Sequence, residues 1–137
     1  MPRCRVTRRV HFNAAHRLHN PGRSADWNRT TFGVCNNPSY HGHNYELDVT
    51  VEGDIDPETG YVMDLTVLKG LAEDRVLRHL DHKNLNVDVP WFRDLIPTAE
   101  NIAMVCWREL SAALPASLTL SLRLWETPRN YVEYQGE

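Results

Sequence analysis

The strongest periodicity in the chain lies between His41 and Glu52. His41, His43, Tyr45, Leu47, Val49 and Val51 alternate with Gly42, Asn44, Glu46, Asp48, Thr50 and Glu52. A two-residue period with one apolar face predicts a half-buried strand. Val6, Val10 and Phe12 predict another over 5–16, Leu118 to Trp125 alternate as a third, and 131–135 reads as a fourth. A short returning strand is expected at 61–63. Leu65, Leu68, Leu71, Ala72, Val76 and Leu80 fall on one helical stripe behind Asp64, a suitable N-cap. Thr98 opens a second helix that runs through Ile102, Val105, Cys106 and Leu110 and stops before Pro115. Segments 17–40 and 81–97 hold no period and read as loops. Two strands, two helices and two strands predict an α+β domain, an antiparallel sheet with both helices on one face.

Composition narrows the class. One domain over residues 1–137 is the default at this length. The net charge of −3 argues against nucleic acid or an anionic membrane as the main partner. No apolar run approaches the roughly 20 residues of a membrane span. The arginines of the N-terminus lack a following hydrophobic stretch, so no secretory signal is expected. Three scattered cysteines, Cys4, Cys35 and Cys106, point to a reducing compartment, the cytoplasm.

The histidines carry the chemistry. His41 and His43 are two apart on a strand, so their rings leave the same face. His16 ends the preceding strand, and pairing of the two strands brings it alongside. Three neutral imidazoles would hold Zn2+ and leave a fourth position open, the pattern of a catalytic site. Cys35, six positions before His41 in the stretch CNNPSYHGHN, is either a fourth ligand of a closed structural site or a base or nucleophile beside the metal. Asp81 and His82 lie in the loop after the first helix, and gain a role if that loop folds back onto Cys35. Glu126 is an acid on an apolar strand face. It needs an arginine, or the N–H edge of a ligand, as partner.

The segments FNAAHRL, CNNPSYHGHNY, GYVMDL, LDHKNLN, PTAENIA and LWETPRNYVEY together resemble the 6-pyruvoyltetrahydropterin synthase family. The resemblance runs in order from about Val10 to the C-terminus. It implies the tunnelling fold, with a four-stranded antiparallel sheet and two helices per subunit. Three sheets would close into a β-barrel, and two trimers would stack into a homohexamer with active sites between subunits. It implies one Zn2+ per subunit on His16, His41 and His43. Cys35 would be the catalytic cysteine, with Asp81 and His82 handling its proton. Glu126 would anchor the pterin ring, with Thr98 and Glu100 as further pterin contacts. The implied substrate is 7,8-dihydroneopterin triphosphate, converted to 6-pyruvoyltetrahydropterin with loss of triphosphate, for tetrahydrobiopterin biosynthesis. No motif marks the triphosphate contacts; Arg17 and Lys83 are the candidates. Two positions depart from the family pattern. Tyr40 stands where a small residue is usual, and Pro97 where a hydroxyl residue is common. Two other readings stay open. One is the sister 6-carboxytetrahydropterin synthase of deazapurine biosynthesis, against which the length of the gap between Cys35 and His41 speaks. The other is a non-catalytic, zinc-stapled binding protein.

Overall fold

A computed structural model describes residues 1–137. The first strand, β1, runs Arg3–His16 and pairs antiparallel with β2, His41–Asp54, from Arg3 opposite Asp54 to His16 opposite His41. β2 pairs with a later strand, Thr119–Thr127, which pairs in turn with Asn130–Tyr134. The sheet has five strands rather than the expected four. Lys83–Asn84, called β3, adds two residues in parallel beside Ala14 and Ala15 on the outer edge of β1. A two-residue strand leaves no period to read in a sequence. Counting β3, the Thr119–Thr127 strand is β4 and Asn130–Tyr134 is β5, in spatial order β3-β1-β2-β4-β5.

The alternation sorts the two faces. Val10, Phe12 and Ala14 of β1 meet Leu47, Tyr45 and His43 of β2 on the helix side. Leu120, Leu122 and Leu124 of β4 continue that face. Helix α2, Leu65–Ala72, is capped by the Asp64 side chain, which accepts the Thr66 N–H. It passes through a π-helical turn, Glu73–Leu77, into a last turn at Arg78–Leu80. Leu68, Ala72, Val76 and Leu80 are all fully buried. Their four-residue steps overshoot an α-helical turn of 3.6 residues, and the wider π turn absorbs the excess. Helix α3, Ala99–Ser111, is capped by Thr98 and buries Ile102, Ala103, Val105, Cys106 and Leu110. The opposite sheet face is polar, crossed by Arg3–Asp54, Arg5–Glu52, Arg9–Asp48 and Arg123–Glu133 ion pairs.

The two expected loops are structured. Helix α1, Ala25–Phe32, and a 3-10 turn, Gly33–Asn36, occupy most of the first. Ser24 caps α1, and its only buried residue is Asn28, so it has no apolar stripe to betray it. The second holds β3, a helical turn at Leu85–Asp88 capped by Asn84, and a 3-10 turn at Pro90–Phe92. Residues 61–63 form no strand. No helix is long and apolar enough to cross a membrane.

Candidate functional site

The register of β1 against β2 places His16 opposite His41 and Ala14 opposite His43. Small Ala14 leaves room for the ring beside it. The three imidazoles converge, with centroids 4.6, 5.1 and 5.0 Å apart. One nitrogen from each lies within 4.8 Å of the others. His16 is 1% exposed. Its Nδ1–H donates to the carbonyl of Pro97 at 2.8 Å, which fixes the tautomer and turns Nε2 toward the other rings.

His16 Nε2, both nitrogens of His41, and His43 Nε2 are buried and have no hydrogen-bond partner. Buried polar atoms are rarely left so. A set of unpaired imidazole lone pairs facing one another is what a divalent cation needs, and zinc takes such donors. Burial, more than the neighbouring rings, holds His16 down to about 4. Burial also lowers His41. Neutral imidazoles keep their lone pairs available, so the donor set fits Zn2+. Phe12 stacks on Tyr45 beneath the cluster, at 4.8 Å, and closes it toward the core.

Glu126 reaches the cluster from β4, just where the β4–β5 register shifts between Trp125 and Thr127. Its Oε1 lies 3.9 Å from His43 Nε2. His43 is its ion-pair partner, and Arg9, which lines the same cavity, is spent on Asp48. Cys35 sits in the 3-10 turn that is tied to the end of β1. The Leu18 N–H donates to the Cys35 carbonyl at 2.9 Å, and Arg17 Nε to the Asn36 carbonyl at 2.8 Å. The buried Asn36 side chain donates to the Leu18 carbonyl at 2.8 Å and bonds His19 Nδ1 at 3.0 Å. Burial, and then the Glu126 carboxylate, push the Cys35 thiol up. The thiol is not among the grouped metal-ligand atoms.

Asp81 and His82 pair with each other at 3.0 Å, in the loop that follows the last turn at Arg78–Leu80. It docks on the outer edge of β1 at Asn13. There the Asn13 N–H donates to Asp81 Oδ1, and the His82 N–H donates to the Asn13 carbonyl. The first of these bonds holds the Asp81 carboxyl below its ordinary value. His82 takes a positive φ of 62° and is exposed. No hydrogen bond or ion pair joins this pair to Cys35 within one chain. Thr98 spends its hydroxyl accepting the Asn101 N–H, and Glu100 is exposed in the first turn of α3. No hydrogen bond or ion pair joins either to the histidines. Asn36 is given no role by the sequence, and Pro97 stands out there only as a departure from the family pattern. Asn36 directly follows the cysteine as the first of two successive asparagines, but nothing along the chain announces a backbone carbonyl.

The comparisons with known proteins agree with this geometry. The family model described as 6-pyruvoyl tetrahydropterin synthase matches residues 5–137. The chain is 50% identical over 132 residues to the 6-pyruvoyl tetrahydrobiopterin synthase of Poecilia reticulata, covering 96% of this chain and 90% of that one. The solved 6-pyruvoyl tetrahydropterin synthase of Caenorhabditis elegans superposes with a TM-score of 0.94 at 40% identity, covering 100% of this chain and 98% of that one. A 6-carboxy-5,6,7,8-tetrahydropterin synthase of Rickettsia bellii is also similar, at 29% identity over 94% of this chain and 98% of its own length.

Proposed function

Because the chain belongs to the 6-pyruvoyl tetrahydropterin synthase family, we propose that it converts 7,8-dihydroneopterin triphosphate to 6-pyruvoyltetrahydropterin, eliminating triphosphate. Membership makes it a tetrahydropterin synthase of the lyase type. The pyruvoyl product is favoured over the carboxy product by the 50% against 29% identity to the two kinds of relative. The observation that carries a working metal site is the set of buried, unpartnered imidazole nitrogens on His16, His41 and His43.

His16, His41 and His43 would hold Zn2+, which when bound would supply Lewis-acid chemistry toward the hydroxyl and C–H groups of the substrate side chain. The remaining tasks fall to the chain. Glu126, beside the cluster, accepts from the guanidine-like edge of the pterin, an arrangement that suits a carboxylate. Thr98 and Glu100 at the start of α3 are the further pterin contacts. Cys35 takes and returns protons, with His82 and Asp81 as its relay. The raised Cys35 thiol needs such a partner, since burial and Glu126 both favour its protonated form. As triphosphate leaves, the ring is reduced and the side chain oxidised to two ketones, so no external oxidant or reductant enters.

Within one chain no hydrogen bond or ion pair joins Cys35 to the Asp81–His82 pair, which is held instead at Asn13. The outer edge of β1 beyond β3 and the outer edge of β5 are both unpaired. Open edges favour pairing with other copies, which supports a barrel of three sheets and a hexamer of two such rings. A neighbour in that barrel would supply His82 and Asp81 to Cys35. Three free cysteines suit a reducing cytoplasm.

The test is anaerobic incubation of zinc-loaded protein with 7,8-dihydroneopterin triphosphate, with the pterins resolved by mass spectrometry. A 6-pyruvoyl product supports the reading. A 6-carboxy product with acetaldehyde moves the chain to the deazapurine branch, and no conversion overturns the enzymatic reading.

A further inference from the structure

Tyr40 has a positive φ of 67°. That region crowds any side chain, and glycine is its usual occupant. A bulky residue held there points to a task that the surroundings enforce. Tyr40 directly precedes the cluster residue His41, and its side chain lines a cavity of about 600 Å³. Arg17, His19, Arg93 and Pro97 share that lining, and Asp94 is its only acid.

No histidine of the cluster lines the cavity, but the chain neighbours of two of them do. Arg17 follows His16, Tyr40 precedes His41, and Pro97 accepts the hydrogen bond of His16 Nδ1. Its charge is unbalanced. Arg17 spends Nε on a backbone carbonyl, and neither Arg17 nor Arg93 has an ion-pair partner. The arginines that cross the polar sheet face are matched with acids. Unpaired guanidinium groups at a concave surface suit phosphate oxygens, which they grip in pairs. Lys83, the other candidate named from sequence, lines two different cavities, one with Asp81 and Glu73 and one with His43 and His82, and in neither does it join Arg17 or Arg93.

We propose that this cavity seats a polyphosphate anion, with Arg17 and Arg93 as its charged contacts and Tyr40 setting its width. The triphosphate tail of the substrate lies there while the side chain reaches the histidines. This assignment of the tail rests on the reading of the substrate given above; the anion site does not depend on turnover.

The site is tested with inorganic tripolyphosphate, titrated by calorimetry into the zinc-loaded protein. The parent binds it. Arg93→Ala weakens binding roughly tenfold or more, the loss of a charge-assisted contact. Tyr40→Gly weakens it several-fold and raises KM for the triphosphate substrate more than it lowers kcat. Its unfolding midpoint is no lower than the parent's, which separates lost contact from lost folding. Lys83→Ala binds as the parent does. Absence of binding, or equal binding by the parent, Arg93→Ala and Tyr40→Gly, overturns the proposal, as does a loss confined to Lys83→Ala. Tripolyphosphate binding at these residues without turnover would count against the substrate and leave the anion site standing. Turnover without such binding would do the reverse.

Discussion

Single side chains divide the candidate site into a metal half and a proton half, and substitution separates them. Cys35→Ala is expected to retain one zinc per chain and lose on the order of a hundredfold or more in kcat, the scale of a lost general base. His43→Ala is expected to lose the metal itself, read by chelator competition. Retention of zinc by His43→Ala, or its loss from Cys35→Ala, would invert the roles. Cys106 behaves differently from Cys35. Burial, aided by Glu109, pushes its thiol up to about 12, so the fold favours the neutral form. That contribution is complete below the ordinary thiol value near 9 and drains away as pH rises toward 12. In timed alkylation at pH 8.5, exposed Cys4 should react while Cys106 stays unmodified until the protein unfolds.

Elements hold these side chains in place through polar clamps more than through apolar packing. The Asn36 amide ties the Cys35 turn to Leu18 and His19 at the end of β1. Asn36→Ala leaves a buried carbonyl unpaired and should cost about 1–3 kcal/mol in denaturant melts. It should also lower kcat without changing zinc affinity, because His16 is held by Pro97 from another element. This division explains what the sequence made legible. β1, β2, β4, α2 and α3 each bury a periodic apolar face, β5 packs half-buried Val132 and Tyr134 against the core, and periodicity exposed all of them. The histidine triad followed from strand pairing. Helix α1 buries only Asn28, and the Cys35 turn and β3 are held by side-chain amides and single backbone bonds, which leave no spacing to read. Tyr40 was visible as a departure from its family, but its positive φ belongs to the backbone. The meeting of Asp81 and His82 with Asn13 rather than Cys35 depended on where a loop lands, which residue order does not set.

The whole molecule has one face of its sheet covered by helices, the other lined by ion pairs, and an unpaired edge on each side. In sedimentation the 15.8 kDa chain should run as a multiple of three copies, and a stable monomer with full activity would count against a shared site. The separation of Cys35 from Asp81 and His82 also has a consequence in the language of genetics. In the proposed barrel each chain would carry two half-sites that serve different neighbours, so defects in one half would be covered by a companion chain with defects in the other. Cys35→Ala and His82→Ala proteins, each inactive alone, should regain activity when co-assembled, with roughly one site in four intact under random cyclic mixing. Two damaged copies of one gene would together make a working enzyme.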